Sequence, residues 1–244
     1  MTAIYGLTIK QLTGKWRLLI LLGLSAVPLV PAAIAAASTN APSASELDDV
    51  LLEGLLASAI LPIVVLAVAT AAFGNELEDK TLSNLTLAPM SRWRIVLAKL
   101  AAAITISAPF VVVSAAASVF LGFSGAGIDG AGKAAVAAGV SFAVGVVLYS
   151  AVFLWAGLVT SHPLGFGLFY VFVWEGLFGT FVGGIKYLSI RQYTLSITTV
   201  IDGSRFSGPD QSVIESPAAI AGAAAVFAGF VLLAVRRIRT MDVP

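Results

Sequence analysis

The chain has 244 residues, of which 59% are hydrophobic and only 11% are charged. A water-soluble domain carries about 25% charged residues, so this composition excludes a soluble globular protein and predicts an integral membrane protein. The formal net charge of +1 excludes binding to a nucleic acid through bulk positive charge. Because the sequence has one histidine and no cysteine, it cannot supply a disulfide, a cysteine nucleophile or a multi-histidine metal site. We predict no catalytic residue and no bound metal.

Six apolar runs are each long enough to cross the roughly 30 Å hydrocarbon core of a bilayer as a helix. They cover approximately residues 18–37, 55–74, 95–121, 134–159, 163–182 and 217–235. The sequence therefore predicts an all-α protein whose residues 1–244 form a single membrane bundle of six transmembrane helices.

The basic residues are distributed unevenly between the two sides that six spans would define. Ten of them fall on the side of the chain termini, and four, Lys133, Lys186, Arg191 and Arg205, fall on the opposite side. Loops that stay in the cytoplasm carry an excess of lysine and arginine. We therefore expect a multi-pass protein of the plasma membrane with both termini in the cytoplasm.

The N-terminal segment and the first run each allow two interpretations. Residues 3–17 alternate apolar residues with lysines, as a short amphipathic helix in the membrane interface does, but a disordered tail also fits. The run 18–37 follows basic residues and ends in small ones, as a cleaved signal peptide does. Its apolar stretch exceeds the roughly 7 to 15 residues of a signal peptide, so we favour a span. We expect kinks at Pro28 and Pro31 in the first run, at Pro62 in the second and at Pro109 in the third.

The polar stretch 74–99 joins the second and third runs on the predicted cytoplasmic side. Glu78, Leu82 and Leu85 recur at helical spacing, which predicts a short helix with one apolar stripe. That stripe must be buried against lipid headgroups or against a protein. The acidic residues at its start would be repelled by an anionic inner leaflet, which favours a protein. A solvated loop, with its acids paired to nearby basic residues, is the alternative.

Ten residues of this stretch form a known pattern. They are Gly74, Glu76, Glu78, Thr81, Leu82, Leu85, Pro89, Ser91, Arg92 and Lys99. The pattern resembles the signature of the ABC-2 type transporter permeases, and the layout of six spans extends the similarity over the whole chain. It departs at Lys80, where that family more often has a small or neutral residue.

The resemblance implies that residues 75–92 form a coupling helix that inserts into a separate ATP-binding subunit. The residues implied to contact that ATPase are Glu76, Glu78, Asp79, Thr81, Leu82, Leu85, Pro89 and Arg92. It also implies two ATPase subunits beneath two permease copies, identical or related, in a lipid bilayer. The chain contains no G-x-x-x-x-G-K-[ST] phosphate loop. We therefore expect ATP and magnesium on the partner and no cofactor on this chain, which would be a permease rather than an enzyme.

Glu175 is the one carboxylate inside an apolar run. A charged group at membrane depth is costly and by default indicates a functional site. It could hold a cation or a proton, or line a substrate path. The structural alternative is a carboxylate bonded to Trp174, to a hydroxyl or to the outer loop, and the sequence leaves both open.

The connection 183–216 is long and lies on the predicted outer side. Its apolar residues Tyr187, Ile190, Tyr193, Ile197 and Val200 recur near helical spacing. We therefore expect a short amphipathic helix at the outer surface or dipping into it, as ABC-2 permeases also have between spans five and six. Residues 38–54 are expected to form the other outer loop.

The sequence favours one function over two others. The first is the permease subunit of an ATP-driven ABC-2 type transporter, an exporter of a lipophilic or amphiphilic substrate. The second is an ATP-independent channel or ion-coupled carrier that uses Glu175, although carriers usually contain internal repeats and none is visible here. The third, an intramembrane enzyme, is disfavoured because Glu175 and His162 do not make a catalytic set.

Overall fold

A computed structural model describes residues 1–78, 91–160, 162–178, 187, 189–204 and 214–240. Most of these residues are helical and none of them forms a β-strand, which confirms the predicted all-α fold class. The helices are α1 (Thr2–Leu12), α2 (Lys15–Ala26), α3 (Leu29–Ala37), α4 (Ala44–Leu47), the π-helix π1 (Asp48–Ile60), α5 (Leu61–Ala69), α6 (Ala71–Glu78), α7 (Arg92–Gly125), α8 (Ala131–Val159), α9 (Pro163–Phe169), the π-helix π2 (Tyr170–Phe178), α10 (Ile190–Ile201) and α11 (Ser216–Thr240).

Five helical stretches of the described residues are long and apolar enough to cross a membrane. They are Lys15–Ala37, Ala44–Gly74, Arg92–Gly125, Ala131–Val159 and Pro217–Thr240. A sixth apolar helix, Pro163–Glu175, is shorter. It belongs to the predicted run 163–182, which is described only as far as residue 178. Together these helices support a multi-pass membrane protein.

The second and fourth spans form the centre of the bundle. In the most apolar 18-residue window of Ala44–Gly74, and of Ala131–Val159, 72% of the residues are buried. The corresponding share is 22% in Lys15–Ala37 and 17% in Pro217–Thr240. The first and last spans therefore lie at the periphery, where apolar side chains can face lipid without cost.

The second span begins earlier than the sequence analysis predicted. Residues 38–54 were expected to form a loop, but the helix starts at Ala44. The N–H and hydroxyl of Ser43 donate to Glu46 Oε2 at 2.7 and 2.9 Å, and the Glu46 N–H donates back to Ser43 Oγ at 3.3 Å. This reciprocal capping box starts the helix directly after Ser43. The prediction of a loop is therefore wrong for residues 44–54.

The N-terminal region is helical on both sides of the predicted kink. The first span is interrupted between α2 and α3 at Pro28, where the ring of a proline disfavours a continuous helix. Pro31 and Pro109 lie inside α3 and α7, which are not interrupted there. Before the first span, α1 replaces the alternative of a disordered tail. Leu12 of α1 is fully buried, and the Tyr5 hydroxyl donates to Thr105 Oγ1 of α7 at 3.1 Å. Helix α1 is therefore packed against the third span.

Candidate functional site

The predicted ATPase contacts lie at the end of one helix, at the start of the next, and between them. Glu76 and Glu78 belong to the last turns of α6, and Arg92 is the first residue of α7. Ser91 precedes α7 as predicted, although its side chain makes no capping hydrogen bond. Asp79, Thr81, Leu82, Leu85 and Pro89 lie outside the described residues. The described structure thus contains both helical flanks of the segment 79–90.

A buried lysine joins these two flanks. Lys99 lies on α7 about two turns after its first residue, and its side chain is fully buried. Its Nζ donates a hydrogen bond to the main-chain oxygen of Ala72, just before the end of the second span. The same Nζ lies 4.6 Å from the centroid of the Phe73 ring, within the range of a cation–π contact.

Lys99 was counted among the ten basic residues on the side of the chain termini, and this contact gives it a structural role as well. Removing an ammonium group from water costs several kcal/mol unless polar partners replace the water. The Ala72 carbonyl and the Phe73 ring supply such partners from α6. Lys99 therefore binds the helix that leads into segment 79–90 to the helix that leaves it.

Glu175 is 2% exposed and accepts three hydrogen bonds from residues that the structure describes. The Tyr170 hydroxyl donates to Oε1 at 3.1 Å, the Ser189 hydroxyl donates to Oε2 at 2.5 Å, and the Ile190 N–H donates to Oε1 at 2.9 Å. Ser189 is the N-cap of α10 and Ile190 is its first residue. The carboxylate thus lies at the positive end of a helix dipole. These contacts match the structural alternative, a carboxylate bonded to hydroxyls and to the connection that follows the fifth run.

Aromatic packing orients the tyrosine that donates to Glu175. The Tyr170 ring packs edge-on against Phe153 of α8, with 6.2 Å between centroids. Phe153 in turn stacks on Tyr149 at 5.5 Å. Such pairs each stabilise by about 0.5–1.5 kcal/mol beyond burial. The fourth span therefore fixes the position of one of the three donors.

Arg191, the second residue of α10, binds the second span. Its Nη1 donates to Ser58 Oγ at 2.9 Å, and its Nη2 lies 3.4 Å from Glu53 Oε1. The Arg191 side chain is 11% exposed and that of Glu53 is 33% exposed. The sequence analysis placed Arg191 among the outer basic residues and Glu53 in an outer loop, so it missed this pair. No pattern in the sequence could have revealed this pair, because the two residues lie far apart in the chain and meet only in the folded structure.

The residues that bind the first turn of α10 lie on two π-helical segments. Glu53 and Ser58 belong to the 13-residue π1, and Glu175 belongs to the 9-residue π2. Runs of π-helix this long are rare, and single π turns occur frequently at functional sites. We call the residues Glu53, Ser58, Tyr170, Glu175, Ser189 and Arg191 the polar cluster. It connects the second span, the fifth run and the start of α10.

Helix α10 turns its polar side chains towards the interior. Thr194, Ser196 and Thr198 are fully buried, whereas Val200 is 42% exposed. The Thr198 hydroxyl donates to Ser141 Oγ of α8 at 2.7 Å. The predicted helix therefore exists, but its apolar stripe is divided: Ile190 and Tyr193 are buried in the bundle, whereas Val200 is exposed. Lipid accepts an apolar side chain, whereas a hydroxyl needs a hydrogen-bonding partner.

Two glycines allow α10 to enter the bundle. A Cβ at Gly145 of α8 would lie 2.7 Å from Thr194 Oγ1, and a Cβ at Gly222 of α11 would lie 2.5 Å from Tyr193 Cε1. Real Cβ atoms essentially never approach other atoms so closely. The absence of a side chain at these two positions is what lets the fourth and last spans close around α10.

An ion pair holds the other end of α10. Asp202 follows the last helical residue and is 3% exposed, and its Oδ1 lies 3.2 Å from Lys133 Nζ at the start of α8. The same carboxylate oxygen accepts a hydrogen bond from the Ser204 hydroxyl at 2.7 Å. Charged contacts thus fix both ends of this twelve-residue helix.

We predict that E175A loosens α10. The change leaves three donors without an acceptor, and each orphaned donor costs about 1–3 kcal/mol. Because the chain has no cysteine, the buried Ser196 can be replaced by cysteine as the only reactive thiol. Maleimide labelling of S196C should be slow, and E175A should accelerate it by roughly tenfold or more. The control is E215A, which removes an exposed carboxylate. Equal labelling rates in E175A and E215A would contradict the assignment.

We also predict that Arg191 and Glu53 are energetically coupled. E53Q and R191Q should each lower the free energy of unfolding in mixed micelles, because each leaves a partly buried group without its charged partner. The double variant should lose less than the sum of the two, with a coupling of about 0.5–3 kcal/mol. As a control, E53Q and K133Q should be additive, since Lys133 pairs with Asp202. If the losses in the free energy of unfolding caused by E53Q and R191Q simply added, the two residues would not be coupled.

The comparison with known families agrees with this architecture. A family model described as "ABC-2 family transporter protein" matches residues 14–186, more than half of the chain. The match contains the first span, both flanks of segment 79–90, and Glu175, and it ends before α10. No curated protein sequence matches the chain at a significant level. Because this family model matches more than half of the chain, the chain belongs to the ABC-2 family of transporter proteins.

Proposed function

We propose that this chain is the membrane-spanning permease of an ATP-driven transporter, worked by a separate ATP-binding subunit through residues 75–92. Family membership supports the role of permease. The observation that carries the coupling proposal is the contact of Lys99 with Ala72 and Phe73. It joins both flanks of the segment to one another at the end of the second span.

A segment that transmits force has to be attached rigidly to the bundle. Residues 75–92 continue directly from the second span, whose most apolar window is 72% buried, and lead directly into the third span. Lys99 prevents these two helices from separating independently. A push on the segment by an ATPase would therefore move both helices together rather than separate one from the other.

The proposal includes two permease copies, identical or related, above two ATPase subunits that bind ATP and magnesium. The net positive charge of the terminal side supports cytoplasmic termini, where an ATPase has access to ATP. Arg92, Glu76 and Glu78 are among the residues that we propose to contact that partner. The chain itself would hydrolyse no ATP.

We further propose export of a lipophilic or amphiphilic substrate. The support is an open apolar cavity of about 360 Å³ between α8, α10 and α11. It is lined by Val144, Val147, Leu148, Ile197, Val200, Ile220, Ala223, Ala224 and Phe227. An apolar surface of this kind suits hydrocarbon cargo and offers nothing to a hydrophilic solute.

Charge reversal at the start of the segment tests the coupling proposal. In the complex purified with its ATP-binding subunit, E76R/E78R should lower the amount of bound ATPase by at least roughly tenfold, since two attractive contacts become repulsive. The matched control is D129R/E215R, which reverses two exposed acids elsewhere in the described chain. Size-exclusion chromatography and ATP hydrolysis provide the readouts. Unchanged assembly and unchanged ATP hydrolysis in E76R/E78R would show that the segment is not the docking element.

Replacing Lys99 tests whether the two flanks must be joined. K99M keeps the length of the side chain and removes a buried charge, so the thermal unfolding temperature should change little. ATP hydrolysis by the assembled complex should nevertheless fall roughly tenfold or more, because the segment is no longer held in position. K10M on the exposed face of α1 is the control. A lower unfolding temperature with unchanged hydrolysis per complex would assign Lys99 a purely structural role.

A further inference from the structure

A groove lies on the surface of the first span, on the side of the chain N-terminus. Lys15, Leu18, Leu19 and Leu22 line one wall. Their spacing of three, four and seven residues places them on one face of α2. Phe110 of α7 forms the opposite wall, and the space between them measures about 450 Å³. The groove is therefore an open apolar surface along α2, with the cationic side chain of Lys15 at the start of that helix.

The cation belongs to a basic segment at the N-terminal end of the chain. Residues 1–45 contain no aspartate or glutamate. Within the described residues, Lys10, Lys15 and Arg17 make no ion pair with a carboxylate. Trp16 is 81% exposed beside them, and tryptophan is favoured at the boundary between hydrocarbon and headgroups. The open positive charge thus lies where lipid phosphates lie.

Two occupants could cover an apolar groove in a membrane: a lipid chain or another copy of this protein. A twofold contact brings the same surface of both copies together. On this face it would place the basic residues around Lys15 close to their own counterparts, and like charges repel. A lipid with an anionic headgroup has the complementary arrangement, with negative charge at one end and hydrocarbon along the rest.

We propose that this groove is a binding site for an anionic phospholipid. The phosphate pairs with Lys15, the first residue of α2. One acyl chain lies between the three leucines and Phe110. The distance along the helix from Lys15 to Leu22 is about 10 Å at 1.5 Å per residue, which accommodates the upper part of an acyl chain. The site lies where α1 joins α2, so the bound lipid would fix that junction at the membrane surface.

Fluorescence quenching of Trp16 tests the site in the intact chain. The chain is placed in phosphatidylcholine nanodiscs that contain increasing amounts of brominated phosphatidylglycerol or brominated phosphatidylcholine. The Trp16 signal is obtained by subtracting the emission of W16F. Phosphatidylglycerol should quench this signal with an apparent affinity roughly fivefold higher per contributing cation. Equal quenching by the two lipids would overturn the proposal.

Three variants separate the groove from its alternatives. K15Q should remove most of the preference for phosphatidylglycerol, whereas K10Q, which does not line the groove, should retain it. If K10Q lowers the preference as much as K15Q does, the attraction is diffuse and no site exists. L19C provides the only thiol of the chain, and oxidation in membranes should form no disulfide between two copies. An efficient disulfide-linked dimer through L19C would identify a second copy as the occupant and refute lipid binding.

Discussion

A charge buried inside a membrane protein needs a partner from the protein itself, because hydrocarbon offers none. This constraint governs the contacts of Lys99, Glu175 and Arg191, each of which bonds to an element other than its own. Apolar packing alone discriminates poorly between arrangements of helices in lipid, since lipid tails are as apolar as leucine. The few buried charges therefore fix which helices are neighbours and at which height they meet.

Helix α10 shows how this constraint acts on a single element. Glu175 accepts from its first N–H and from its N-cap hydroxyl, and Arg191 anchors the same end to the second span. The threonines and serines of its inner face then find partners such as Ser141. The apolar residues Ile197 and Val200 remain on the outer face and line the open cavity. The polar residues of α10 thus hold this helix inside the bundle.

Long apolar runs and proline positions predicted much of the fold, because hydrocarbon thickness and a missing N–H are local constraints. The break at Pro28 and the start of α7 after Ser91 follow from them. The capping box of Ser43 and Glu46 was readable in the sequence and was missed. Periodicity predicted α10 but not which of its side chains are buried. Thr194, Ser196 and Thr198 face the interior together with Ile190 and Tyr193. The partners of Arg191 could not be predicted, because they depend on which spans become neighbours.

The second span is the element on which these contacts converge. In its first half, Glu53 and Ser58 hold Arg191 of α10, and near its C-terminal end Ala72 and Phe73 hold Lys99 of α7. Separating a buried charge from its partner costs roughly 3–5 kcal/mol. A displacement of this span must therefore either carry α7 and α10 with it or break one of these contacts. Since the same span continues into residues 75–92, a force applied there reaches α10 through helices that are already bonded to each other.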